Sequence, residues 1–281
     1  MNKLFLILVK KITKLLEGTG IGKIKPLFRI YALLLSLLKP KIVMTEGSKI
    51  YLDKNDSLLL SIYPNFEPAE TKLVKYCVKK NMVTVDAGAY IGYFTLLMSK
   101  LVGEKGSVHA FEPGRENFNL LEKNVYLNNY KNVILNNSAL SNKSGTTKLF
   151  ISGENPQDHR IVENEKSKKW EFVKTITLDR YFRNNQKVDF IKMDIQGAEI
   201  FALEGAKRIL EENKTMKMII EFWPFALIQS GIQPDKLLQI LQKLGKIKLI
   251  DESTGALKNI SNLNTKSFAE DNLSNLFFER T

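Results

Sequence analysis

The stretch Met82-Val-Thr-Val-Asp-Ala-Gly-Ala-Tyr-Ile-Gly-Tyr-Phe-Thr-Leu96 constrains this chain more than any other. An apolar run ends at Asp86, Gly88 and Gly92 follow, and helical spacing of apolar residues begins after them. A buried strand that turns sharply into a helix is where open α/β sheets bind nucleotide-like ligands. The glycines are expected because a Cβ would hold a ligand off the backbone. A second apolar run, Val108-His-Ala-Phe-Glu112, ends in an acid at the tip of the next strand. An acid placed there accepts ribose hydroxyls, a charge-assisted contact worth roughly 1.5–3 kcal/mol.

The spacing also excludes. Asp86-x-Gly88-x-x-x-Gly92 is not the dinucleotide pattern Gly-x-Gly-x-x-Gly, and the phosphate loop Gly-x-x-x-x-Gly-Lys-Ser/Thr is absent. The pattern suits a ligand with ribose and adenine but no pyrophosphate. S-adenosylmethionine fits, because its cationic amino group seeks an acid or carbonyl.

Strands and helices alternate through most of the chain. Strand 82–86, helix 92–101, strand 107–111, helix 115–127 and strand 132–136 come first. Residues 137–187 break the rhythm with polar residues and two candidate strands, 146–151 and 171–176. Strand 188–193, helix 199–211, strand 216–222, helix 234–244, strand 246–251 and strand 275–279 complete it. Ahead of them, 41–52 reads as a hairpin turning at Glu46-Gly47, and 69–79 as a lead-in helix. This predicts an α/β fold with a mostly parallel sheet, helices on both faces, and a ligand at the carboxyl ends of the strands. Asp86, Glu112, Asp194 and Glu221 all fall at such ends. Burying four unpaired carboxylates there without a purpose would be costly.

Charge divides the chain. Of 42 Lys and Arg and 30 Asp and Glu, nine of the bases and only Glu17 of the acids lie in residues 1–41. Residues 1–40 are therefore expected to form a basic helical N-terminal extension, with 41–281 as the catalytic domain. Within that domain, 41–80 is hairpin and lead-in helix, and 81–281 is a Rossmann-like core with the insertion 137–187. The apolar run Leu27–Leu38 spans about 18 Å as a helix, short of a hydrocarbon core of roughly 30 Å. Its lysine-flanked pattern suits packing on the domain or peripheral contact with an anionic membrane. One cysteine, Cys77, excludes an intrachain disulfide, and with only two histidines points to a cytoplasmic setting.

A second motif, Val188-Asp-Phe-Ile-Lys-Met-Asp-Ile-Gln-Gly-Ala-Glu199, follows the same logic: Asp194 ends a strand and Glu199 starts a helix. With 85–95, Ala110-Phe-Glu-Pro113, Ser138-Ala-Leu-Ser141, Phe66-Glu-Pro68 and Asn275-Leu-Phe-Phe-Glu279, it resembles the FkbM-type family of S-adenosylmethionine-dependent methyltransferases, from about residue 42 to the end. The resemblance implies a class I methyltransferase fold, seven strands with the last antiparallel. It also implies methyl transfer to a hydroxyl of a sugar, glycan or natural product. This chain departs from the family where Gln196 stands in place of an acid.

On this reading Asp86, Gly88 and Tyr90, with Gly92 in the turn, face the methionine part of the cofactor. Glu112 holds the ribose, and Asn137, Ser138 and Ala139 border the adenine. Asp194 is the first candidate to orient or deprotonate the acceptor, and His159 the second. Asp158, Arg160, Gln196, Glu199, Glu221 and Trp223 are the candidate acceptor contacts. Magnesium between Asp194 and Glu221 is a weaker expectation, and no metal ligand set is assigned. The rivals are a nucleic-acid methyltransferase, a dehydrogenase, and a non-catalytic module that binds a partner or membrane. Asn155-Pro156-Gln157 breaks the pattern that amino-directed nucleic-acid enzymes need, and the glycine spacing disfavours the dehydrogenase.

Overall fold

The computed structural model describes Lys11 and residues 39–152, 159–161, 169–260 and 273–280. The expected N-terminal extension, apart from Lys11 and Lys39-Pro40, lies outside them. The chain opens with a hairpin, β1 (Ile42–Thr45) and β2 (Ser48–Tyr51). Glu46 and Gly47 both take positive φ, 50° and 78°, the turn whose twist suits a two-residue hairpin. Helix α1 (Pro68–Cys77) leads into β3 (Val83–Ala87). Then come α2 (Tyr93–Val102), β4 (Ser107–Phe111), α3 (Arg115–Leu127) and β5 (Val133–Asn136).

The polar insertion forms its own three-stranded sheet from β6 (Ala139–Leu140), β7 (Gly145–Ile151) and β8 (Lys169–Ile176), followed by a short helix α4 (Leu178–Tyr181). The alternation resumes with β9 (Phe190–Met193), α5 (Glu199–Glu204), α6 (Lys207–Glu212), β10 (Lys217–Phe222), α7 (Pro224–Gln229) and α8 (Pro234–Leu244). It closes with β11 (Gly245–Ile250), β12 (Leu257–Asn259) and β13 (Ser274–Arg280).

The main sheet runs β12-β11-β13-β10-β9-β3-β4-β5. The seven expected strands are present, parallel except for β13, which pairs antiparallel with both β10 and β11. This is the class I methyltransferase arrangement. β12 adds a short eighth strand at the edge. The helix expected over 199–211 is broken in two at Gly205, where the Asp179 N–H donates to the Gly205 carbonyl at 2.9 Å and the Asp179 carboxylate accepts the N–H groups of Arg208 and Ile209, both at 3.0 Å. Helix α7 and strand β12 had no periodic signal long enough to announce them. Among the described residues, no helix is long and apolar enough to cross a membrane.

Strand alternation divides the core. Val85, Ala87, Ile191 and Met193 pack on one face with α5, α6 and α8 residues such as Leu203, Ile209 and Leu237. Val108, Ala110, Phe190 and Ile219 pack on the other with α1–α3 residues such as Val74, Met98 and Leu121. Asp86 and Lys192 are register partners across β3 and β9, so their side chains share that second face.

The sheet order reverses between β3 and β9, and the backbones stay in contact just past their ends. The Asp194 N–H donates to the Ala87 carbonyl at 3.0 Å. Gly88, at φ 83°, meets the Asp194 carbonyl so closely that a Cβ would lie 1.8 Å from its oxygen. Its glycine is thus required by the neighbouring strand, a reason different from the ligand clearance read from the sequence. Gly92 is favoured instead by its φ of 100°, since a Cβ there would meet only the movable tip of the Leu121 side chain, at 2.7 Å. Gly88→Ala should cost about 3 kcal/mol, combining a backbone clash with a left-handed conformation. Urea unfolding of the purified variant, with an unchanged midpoint as the contrary outcome, checks it.

Candidate functional site

The turns after β3, β4, β5 and β9 surround one cleft of about 920 Å³, counting its open mouth. It is lined by Asp86, Gly88 and Tyr90 from the first turn, Glu112 from the second, Ser138 and Ala139 from the third, and Asp194 and Gln196 from the fourth. His159 reaches it from the insertion, and Phe66, Tyr93 and Phe94 form an aromatic wall with edge-on ring contacts of 5.1–6.3 Å.

Glu112 anchors one end. Its Oε2 accepts the Tyr90 N–H at 2.9 Å and its Oε1 the Gly114 N–H at 2.8 Å. Tyr90 takes φ 50° to present that N–H. An ionised carboxylate offers about four acceptor positions, so two backbone donors and the Asn117 side chain leave room for a ligand hydroxyl. Burial pushes the Glu112 carboxyl up to about 7, against the pull of these donors. His159 sits beside Glu112: a Cβ on Gly114 would lie 3.0 Å from Glu112 Oε1 and 3.2 Å from His159 Cδ2. The His159 Nδ1 accepts the Ser152 N–H at 3.2 Å, so the neutral ring carries its proton on Nε2. His159 lines the cleft on the side of Glu112 and Gly114.

Asp86 is buried at the tip of β3 and accepts the Thr95 hydroxyl. Burial pushes its carboxyl up to about 6. The Tyr90 ring lines the cleft while its phenol is pushed up by burial and by Asp53, a neighbour in the loop before α1.

The opposite end is built around Lys192, which the sequence reading passed over. Its side chain is 3% exposed, 3.3 Å from Asp194 Oδ2 and 3.7 Å from Glu67 Oε2, and it lies over the Phe94 ring at 4.9 Å. Burial works against its charge, but Asp194, Glu67, Glu221 and Asp86 outweigh that and hold it protonated. A lysine inside the apolar run Phe190-Ile-Lys-Met193 was the available signal, since such a charge is buried only with partners. Gln196 donates from Nε2 to Asp194 Oδ1 at 2.8 Å and to Glu221 Oε1 at 3.0 Å. Among the described residues, no group of three or more His, Cys, Asp or Glu is placed to hold a metal ion.

Several expected site residues do other work. Asn137 donates to the carbonyls of Glu112 at 2.8 Å and Pro113 at 3.0 Å, which fixes the turn after β4 and keeps its amide out of the cleft lining. Glu199 is 1% exposed, and its Oε1 accepts the N–H groups of Ile195 and Gly197, both at 3.2 Å. It holds the turn that carries Gln196 instead of facing an acceptor. Glu221 is buried behind Gln196. Arg160 is also buried, with its guanidinium 4.4 Å from the centre of the Trp223 ring, so the two form a packed pair beside the cleft. Asp158 lies outside the described residues.

The raised carboxyl of Glu112 has a signed consequence. The folded state holds its proton more tightly than the unfolded chain, so its stabilising effect is complete below about 4.5 and is lost as pH rises through about 7. Glu112→Gln should remove that slope: relative to the parent, the variant gains roughly 1–3 kcal/mol between mildly acidic and mildly alkaline buffer. Urea midpoints of both proteins across that range measure it, and parallel curves would contradict it.

The family model described as the methyltransferase FkbM domain matches residues 86–248, more than half of the chain. Methyltransferase sdnD of Sordaria araneosa is 27% identical over 188 residues, covering 55% of this chain and 70% of that protein. Among solved structures, methyltransferase FkbM from Methylobacillus flagellatus KT is 16% identical, with a TM-score of 0.45 over 93% of this chain and 60% of that one. SMU.1697c, a putative methyltransferase from Streptococcus mutans solved with SAH, is 13% identical, with a TM-score of 0.46 over 76% of this chain and 97% of that one. The chain belongs to the FkbM methyltransferase family.

Proposed function

We propose that this chain is an S-adenosylmethionine-dependent O-methyltransferase whose acceptor is a hydroxyl of a sugar, glycan or natural product. The observation that carries the cofactor is Glu112: a buried acid at the tip of β4, held by two backbone donors and the Asn117 side chain, with acceptor capacity left for a ribose hydroxyl. The other residues present fit the same ligand. Asp86 supplies an acid for a cationic amino group, and Ser138 and Ala139 give the turn after β5 a small, flat border for adenine. When bound, S-adenosylmethionine supplies an already activated methyl group.

The chain's own contribution is alignment, exclusion of water and removal of one proton. Asp194 is the group for that proton. Its side chain is 26% exposed, Lys192 holds Oδ2 and Gln196 holds Oδ1, so the carboxylate is fixed with lone pairs to spare. A positioned base of this kind contributes roughly 10²–10⁴-fold. Phe66, Tyr93 and Phe94 keep that side of the cleft apolar.

Calorimetric titration with S-adenosylmethionine, its demethylated product and NAD tests the cofactor. The first two should bind in the micromolar range and NAD should not; binding of NAD alone would return the dehydrogenase. Glu112→Ala should abolish tight binding of the first two while the circular dichroism spectrum stays unchanged. The basic N-terminus motivates a second reading, peripheral membrane contact, as part of the same function. Deleting residues 1–38 should weaken co-sedimentation with anionic vesicles, and equal sedimentation of both forms would remove that reading.

A further inference from the structure

Asp194 follows β9 and Glu221 lies in β10, and their carboxyls approach each other at one end of the cleft. Carboxylates this close need something positive between them: a proton, a metal cation or a hydrogen-bond donor. In this chain the space is filled by the Gln196 carboxamide. Its Nε2 stands 2.8 Å from Asp194 Oδ1, 3.0 Å from Glu221 Oε1 and 3.3 Å from Glu221 Oε2. The amide nitrogen donates to all three of these carboxyl oxygens.

The backbone is committed to this placement. Gln196 and Gly197 take φ 56° and 94°. The buried Glu199 carboxyl ties down the N–H groups on either side, those of Ile195 and Gly197. A Cβ on Gly197 would lie 2.7 Å from the Ala226 carbonyl oxygen, so the turn is packed against α7. Lys192 is engaged on the other oxygen of Asp194 and by Glu67, which leaves Oδ1 to the amide.

We propose that the Gln196 carboxamide occupies the point from which a divalent cation would bridge Asp194 and Glu221, so that residue 196 decides whether this end of the cleft takes a metal. With glutamine, the two carboxyls are joined through N–H donors, and among the described residues no group of three or more acids, histidines or cysteines is placed to hold a metal ion. Gln196→Glu would bring three carboxylates to the point now filled by the amide nitrogen. A hard cation with oxygen ligands relieves their repulsion. The inference concerns metal binding alone and stands or falls independently of the methyl donor.

The test is titration of Mn²⁺ into the full-length protein without S-adenosylmethionine, read by calorimetry and by loss of the free Mn²⁺ paramagnetic resonance signal. Gln196→Glu should bind a single Mn²⁺ at least about tenfold more tightly than the parent. Adding Asp194→Asn to that variant should abolish the gain, and Gln196→Met should show none. Equal affinity of the parent and Gln196→Glu would overturn the proposal. So would Mn²⁺ binding by the parent that Asp194→Asn removes, a measurement that holds even if Gln196→Glu does not fold.

Discussion

The buried ammonium of Lys192 is the interaction on which the rest of the cleft depends. Asp86, Asp194, Glu221 and Glu67 crowd the ends of three neighbouring strands and the start of α1, and burial strips hydration from Asp86, Glu221 and Glu67 there. A cation at 3.3–3.7 Å from two of them, sealed by the Phe94 ring, makes that crowding tolerable. Removing one partner of such a set costs more than the pair contributes, because the remaining charges stay buried. Lys192 is therefore a condition for the acids to be there at all.

The second constraint is backbone proximity. Parallel strands bring their carboxyl ends to one edge, and reversal of strand order beside β3 opens a crevice there. Gly88 lets the turn after β3 lie against the Asp194 carbonyl, which keeps Asp86 and Asp194 in one cleft. The cleft thus has two chemically different ends. Near Glu112 it presents a carboxyl held by backbone donors, with His159 alongside. Near Asp194 it presents a carboxylate held by side-chain donors, Lys192 and Gln196. The first arrangement suits recognition of a fixed ligand. The second suits a group that must accept a proton while staying in place.

The strands and helices that build this frame were legible because their apolar spacing is long and regular. β4, α3 and α8 begin and end at the residues their patterns predict. The break at Gly205 was not legible, because the carboxylate that takes the backbone N–H groups just after it belongs to Asp179, in a separate segment of the chain. The same holds for the site. Strand-end position was enough to find Asp86, Glu112 and Asp194, and the family resemblance pointed to Gln196; all four line the cleft. It could not separate residues that face a ligand from those that hold a turn, which is why Asn137 and Glu199 changed roles.

The sequence by itself determined the α/β alternation, the strand-end acids and the membership of a methyltransferase family, since each depends on local periodicity or on residues adjacent in the chain. Only the tertiary structure decided which groups share a proton or a charge. Lys192 meets Glu67, Gln196 meets Glu221, and Arg160 covers Trp223 through packing between segments that sequence spacing does not relate. The physical reason is range: hydrophobic patterning is written residue by residue, whereas the state of a buried charge is set by whatever the fold brings within a few ångströms of it.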